Sequence, residues 1–243
     1  MNTLSSWGNT PILGMIHLAD DSVKRALEEA HIYAEEGLTG IIVENYHGTL
    51  QGVVKTMQKL ERLKLPLQLG VNILPNEFSN AFAIAAKYKG SFIQLDHVAG
   101  TYMQGRLDHK EYQRHRELYP EILVLGGVWP KYYRPVRGSS LERDVQEGML
   151  RADALVITGS GTGKETPLEK IRRFRTITGE YPLFVGAGIT PENAYQQLMV
   201  ADGAIVGSAF KEKGITMNVV NKEYVRAVMS VVAAVRKEKA LAL

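Results

Sequence analysis

Short apolar runs alternate with longer amphipathic stretches along the whole chain. The runs fall at residues 12–16, 40–43, 67–71, 92–95, 122–128, 154–157, 183–185 and 204–206. They are short for helices, and they are nearly continuous Val, Ile, Leu, Ala and Phe rather than an alternation of apolar and polar positions. Strands covered on both faces read this way, and such strands belong to parallel sheets. Between the runs the apolar residues recur at helical spacing; Val23, Ala26, Leu27, Ala30 and Ala34 share one face. Asp20 or Asp21 is the expected cap of that helix and Gly37 its stop. Thr166-Pro167-Leu168-Glu169, Ser139-Ser140-Leu141-Glu142 and Thr190-Pro191 mark three further helix starts.

A strand-then-helix unit recurring about every 30 residues is the βαβ repeat. Eight such units are the number at which a parallel sheet closes on itself, and 243 residues match the length of one such domain. The pattern therefore predicts an α/β fold, a single (β/α)8 TIM barrel spanning residues 1–243. No linker, low-complexity tract or break in composition divides it. The segment Gly70-Val71-Asn72-Ile73-Leu74-Pro75-Asn76-Glu77 is echoed by Gly186-Ala187-Gly188-Ile189-Thr190-Pro191-Glu192-Asn193, an echo that half-barrel duplication and chance explain equally well.

With 45% hydrophobic residues the chain can fill a core without covalent staples, and it contains no cysteine. That excludes disulfides, thiolate metal sites and a cysteine nucleophile, and it fits a cytoplasmic protein. The first residues lack the basic and apolar regions of a signal peptide. No apolar run is long enough to span a bilayer, so membrane contact would be peripheral. A net charge of +3, with basic clusters only on predicted outer helices, gives no nucleic-acid surface.

In this fold, chemistry sits at the C-terminal ends of the strands. Reading off those ends gives His17, Glu44 with Asn45, Asn72, Asp96 with His97, Lys131, Thr158 with Gly159, Gly186 with Gly188, and Gly207 with Ser208. Polar residues ending apolar strands cost desolvation energy unless they are used or paired. The glycines after the last two strands let backbone N–H groups approach an anion, and a short helix starting near Ser208 would point at it. Gly186, Gly188, Gly207 and Ser208 are thus the expected phosphate site, with Lys211 as a candidate counter-charge. The stretch Thr158-Gly159-Ser160-Gly161-Thr162-Gly163-Lys164-Glu165 is not a nucleotide P-loop: that pattern needs glycine at 158 and a hydroxyl at 165. It reads as a flexible loop over the substrate. Glu44 and Asp96 are the candidate acid and base, because a carboxylate in a partly dry mouth is pushed toward useful pKa values. His17 is the candidate proton shuttle, Asn45, Asn72, Thr158 and Gly159 candidate ligand contacts. Glu44, Asp96 and His97 lack metal-ligand spacing, so no metal and no cofactor is expected.

The segments Gly14-Met15-Ile16-His17-Leu18, Val43-Glu44-Asn45 and Gly70-Val71-Asn72-Ile73-Leu74, with the glycine-rich strand ends 185–193 and 202–208, make the chain resemble the BtpA (BtpA/SgcQ) family. The resemblance runs from Pro11 to about Met229. It implies a ribulose-phosphate-binding type of barrel, in a family named for photosystem I biogenesis and for sugar-metabolism gene clusters. His17, Glu44, Asn45 and Asn72 match its motifs. Two departures touch the mouth: the proline-rich loop after the first strand is replaced by Ala19-Asp20-Asp21, and Gln94-Leu95-Asp96-His97-Val98-Ala99-Gly100 replaces an asparagine-containing run.

The preferred functional reading is an isomerase- or lyase-type enzyme acting on a small phosphorylated metabolite, such as a sugar phosphate, by proton transfer or elimination. Two alternatives stay open: a non-catalytic assembly factor that keeps the barrel as a scaffold, and a prenyl- or nucleoside-phosphate transfer enzyme using Tyr46, Tyr102, Met103, Trp129 and Tyr132 as a groove or stacking wall. A homo-oligomer is expected, with Tyr224, Val228 and Val231 on the last helix as its apolar surface.

Overall fold

The computed structural model describes residues 3–241. Eight strands, β1 (Ile12–Ile16), β2 (Gly40–Glu44), β3 (Gln68–Asn72), β4 (Phe92–Leu95), β5 (Leu123–Gly127), β6 (Ala154–Ile157), β7 (Leu183–Val185) and β8 (Gly203–Val206), form a closed parallel barrel. Consecutive strands are neighbours throughout, and β8 closes on β1 through the pair Ile12 and Ala204. Each strand is followed by one helix of the outer ring: α1 (Val23–Glu35), α2 (Leu50–Leu63), α3 (Phe78–Lys87), α4 (His109–Leu118), α5 (Leu141–Met149), α6 (Leu168–Thr178), α7 (Pro191–Leu198) and α8 (Lys222–Leu241). A small hairpin, Thr101–Tyr102 with Gly105–Arg106, is inserted between β4 and α4.

The apolar residues divide into two packed layers. Leu13, Met15, Ile42, Phe92, Leu125, Val156, Phe184 and Ile205 fill the barrel, and Trp7 closes its lower end edge-on against Phe92 at 4.9 Å. The larger layer lies between the strands' outer faces and the helices. Large rings inside the barrel are accommodated by glycine on a neighbouring strand: a Cβ at Gly70 would fall 2.2 Å from the Phe92 ring, one at Gly203 2.6 Å from that of Phe184. Volume is shared between facing positions, as close packing demands.

Three local expectations change. The first helix is capped by Ser22, whose side chain accepts from the Arg25 amide, because Asp20 and Asp21 sit in a left-handed turn. Asp21 instead accepts from Thr49, the cap of α2. Thr166 does not cap α6: its buried hydroxyl donates to the Ala187 carbonyl, joining the loops after β6 and β7. Val228 is fully buried in the core, so it cannot serve an oligomer surface, whereas Tyr224 is exposed. Thr190 opens α7 as expected, in a reciprocal capping box with Asn193. The echoing segments are built differently, since Leu74–Pro75 is a cis peptide bond and Pro191 is the first residue of α7.

Candidate active site at the barrel mouth

Glu44 and Asn72 end adjacent strands in direct register. The Asn72 amide donates both its hydrogens inside the mouth, to Glu44 Oε1 at 2.6 Å and to Gln94 Oε1 at 2.7 Å. Its own carbonyl oxygen is buried without a hydrogen-bond partner among the described residues. Glu44 is buried, and burial followed by the charge of Asp96 raises its pKa to about 7, against the pull of Lys131 and the Asn72 hydrogen bond. Asp96, just past β4, is also raised by burial, and the Tyr133 hydroxyl donates to it at 3.1 Å. The mouth therefore holds two carboxyls, one of them poised to gain or lose a proton near neutrality.

His17 follows β1 and lies edge-on to Tyr46, with ring centroids 5.4 Å apart. Gly207 makes room for it, since a Cβ there would stand 3.0 Å from the imidazole. Burial and the charge of Lys211 hold His17 well below the usual histidine range, so the ring is neutral at pH 7. It can relay or share a proton but adds no positive charge. His97 lies among Tyr102 and Tyr133, with centroids 4.9 and 5.0 Å away, and burial lowers its pKa to about 4. Among the described residues, no three His, Asp or Glu side chains form a set able to hold a metal.

The opposite wall is made by the loops after β6, β7 and β8, which contribute Thr158, Thr162, Gly163, Gly186, Ala187, Gly188, Gly207 and Ser208 to the cavity lining. These glycines let loop lie on loop. Gly188 has φ +72°, and a Cβ on it would meet the Lys164 carbonyl at 2.3 Å; one on Gly163 would approach Ser208 Oγ at 3.1 Å. The N–H of Gly186 is already given to the Ile157 carbonyl at 2.7 Å, so this residue serves by its missing side chain rather than as a donor. Lys211 is not the counter-charge: it is buried and its ammonium is 2.6 Å from Glu29 Oε1 beneath the wall. The cation that lines the cavity is Lys131, whose Nζ is 3.1 Å from Thr162 Oγ1. Thr158 accepts from the Lys131 amide at 2.7 Å and fixes that loop. Asn45 and Gly159 act behind the surface. Asn45 clamps Leu74 through both its amide atoms, at 2.7 and 3.3 Å, and Gly159 lets the Glu165 carbonyl pass where a Cβ would stand 2.5 Å away.

The connection after β5 organises the mouth more than its sequence suggests. Trp129 and Tyr132 adopt left-handed backbone, φ +49° and +69°, which costs bulky residues energy and persists only where the surroundings enforce it. Here the Tyr102 hydroxyl accepts from the Trp129 amide, and Gln104 of the hairpin brackets the bend, donating to the Tyr132 carbonyl at 2.8 Å and accepting from the Arg134 amide at 3.1 Å. Lys131, Tyr132 and Tyr133 are thereby presented to a cavity of about 360 Å³. Tyr46 and Tyr132 both reach Thr162, at 3.3 and 3.2 Å, so three loops meet above it. Gln94, Gln104 and Tyr133 were not singled out by position along the chain; Tyr133 stands next to Lys131 and Tyr132, but only folding aims it at Asp96.

Solved structures of the same shape include one described as native KDPGal, with a TM-score of 0.65 at 15% identity over 97% of this chain and 98% of that one. A phosphoribosyl anthranilate isomerase from Thermococcus kodakaraensis gives 0.62 at 17% identity, covering 93% and 99%. At such identities the likeness is one of fold. Sequence relatives extend over nearly the whole chain: an uncharacterized protein of Pyrococcus abyssi is 29% identical, covering 95% of this chain and 99% of its own. The photosystem I biogenesis protein BtpA of Synechocystis is 26% identical, covering 95% and 91%. The BtpA family model matches residues 9–234, and the chain belongs to the BtpA family.

Proposed function

We propose that this protein is an enzyme acting on a small phosphorylated metabolite, a sugar phosphate or close relative, by proton transfer or elimination in the barrel mouth. The observation that carries the reading is Glu44: a buried carboxyl with a pKa of about 7, facing a cavity whose far wall is glycine-rich loop backbone. The cavity volume lies in the range of small-molecule sites. The phosphate sits against the backbone of Gly188, Gly207 and Ser208, with Lys131 supplying its positive charge. Anchoring there applies binding energy remote from the reacting carbons to hold them against the carboxyls. Glu44 or Asp96 takes a proton from carbon and returns one to carbon or to a leaving oxygen. Neutral His17 relays or shares a proton, and Tyr133 keeps Asp96 oriented. A scaffold would have no use for a carboxyl held in this state, which favours the enzyme over an assembly factor. The reading extends to a protein working in the cytoplasm without a cofactor and as a homo-oligomer; among the described residues, no helix is long and apolar enough to cross a membrane.

The test is a thermal-shift screen of phosphorylated metabolites, since a ligand that binds only the folded state raises its melting temperature. Hits are then followed for turnover. Glu44→Gln should keep the ligand-dependent shift and lose about 10²-fold or more in turnover. Normal turnover in a folded, ligand-binding Glu44→Gln protein would remove Glu44 from the mechanism.

A further inference from the structure

A second cavity, about 770 Å³, opens beside the mouth between the inserted hairpin, the start of α4 and the connection that leads into α5. Its lining is strongly basic: Arg106 from the hairpin, Lys110 from α4, Arg137 from the connection, and Arg143 and Arg151 from α5 and its end. Three acidic residues share the wall, and each is engaged. Asp108 accepts from the Glu111 amide at 3.1 Å, Asp144 takes the Trp129 indole N–H at 2.8 Å, and Glu147 pairs with Arg151 at 2.9 Å. The guanidinium groups of Arg106, Arg137 and Arg143 have no such partner among the described residues. Three exposed guanidinium groups from three separate segments thus share one concave surface without a hydrogen-bonding or ion-pair partner among the described residues, and the basic side chains of its lining outnumber the acidic ones five to three.

We propose that this cavity is an anion site for a small phosphorylated molecule, distinct from the barrel mouth. Guanidinium groups match phosphoryl oxygens with paired, parallel N–H donors, and three of them suit a dianion better than a single carboxylate. The basic groups are confined to one open concavity, which favours a small ligand over a nucleic acid, since the latter would need an extended basic track. The site also touches the segments that shape the mouth. The Val136 amide donates to the Thr101 carbonyl at 3.0 Å, and the same hairpin carries Gln104, which holds the Tyr132 bend. An anion bridging Arg106 and Arg137 would brace those two segments together.

The experiment is two-dimensional amide NMR of the full chain titrated with inorganic pyrophosphate, read at Gly138 and Ser139 for this cavity and at Gly188 and Gly207 for the mouth. The expected result is a saturable shift at Gly138 and Ser139. Arg143→Gln should weaken it about tenfold or more, the weight of a hydrogen bond to a charged group, and the triple variant Arg106→Gln, Arg137→Gln, Arg143→Gln should abolish it. Shifts at Gly188 and Gly207 should be the same in wild type and variants, so failure here and failure of the mouth as a phosphate site are separate results. The proposal is overturned if Gly138 and Ser139 do not respond, if their response survives the triple variant, or if sodium chloride at matched ionic strength reproduces it. The side chains of these exposed arginines make no hydrogen bond or ion pair among the described residues, so the variants are expected to fold; a matching wild-type spectrum elsewhere checks this.

Discussion

Glu44→Gln should make the protein more stable above neutral pH while removing its activity. The wild-type carboxyl titrates at about 7 in the folded protein against an ordinary value of 4.5. Below pH 4.5 it is protonated whether the chain is folded or not, and the group contributes no difference. Between 4.5 and 7 the folded protein retains a proton that the unfolded chain has released, so stability falls as pH rises through this window. Above 7 the full cost is present, of order 3 kcal/mol at 1.36 kcal/mol per pH unit. Glutamine has the shape of the protonated acid, still accepts from Asn72, and never ionises beside Asp96. The variant should therefore match wild type near pH 4.5 and exceed it at pH 8.5 by up to about 3 kcal/mol, or roughly 6–12 °C in melting temperature for a chain of this size. Scanning calorimetry or fluorescence melts of both proteins from pH 4.5 to 8.5 would read it. A stability difference that does not vary with pH, or a variant less stable than wild type at pH 8.5, would refute the reasoning, because Glu44 would then be an ordinary ionised carboxylate supported by its surroundings.

Tyr133→Phe removes the hydroxyl that stabilises the charged form of Asp96; the pKa of Asp96 should rise further, moving the acid limb of the pH–rate profile to higher pH. Gly188→Val places a side chain where φ is +72° and the Lys164 carbonyl is 2.3 Å away, so it should destabilise by about 1 kcal/mol or more and abolish the thermal shift given by inorganic phosphate. Lys211→Met should cost about 3 kcal/mol in chemical denaturation, the low end for a broken buried pair because Arg25 still holds Glu29 at 3.2 Å, with phosphate binding unchanged. Light scattering at micromolar concentration should give a dimer mass; a monomer would leave exposed Tyr224 on α8 without the role of an oligomer contact.

The barrel was legible because its signal is local and repeated. Each strand is an apolar run shielded on both faces, each helix carries one apolar stripe, and eight repeats leave closure as the arrangement that covers every edge. The same logic located Glu44, His17, Thr158 and the glycines of the last two loops, since a polar or glycine residue directly after an apolar strand must lie at the mouth. Strand position also brought in Asp96 and Lys131. What periodicity cannot carry is the direction of a side chain once the chain leaves the strand. Lys211 lies only three residues past Ser208, yet the short turn between them drives its ammonium down to Glu29, 182 residues away in sequence. Asn45 and Asn72 look alike as strand-end amides, but one grips the Leu74 backbone while the other bridges Glu44 and Gln94. The titration of Glu44 is likewise a tertiary property: it requires burial under loops from other strands and Asp96 brought near it from two strands away. The left-handed bend at Trp129 and Tyr132 has no signature in sequence, because neither residue favours it; Tyr102 and Gln104 of the inserted hairpin impose it. The sequence determined where a site must be, through the alternation of strand and helix. Contacts between loops far apart in the chain decided which side chains face it, which are protonated, and which serve only to hold the wall.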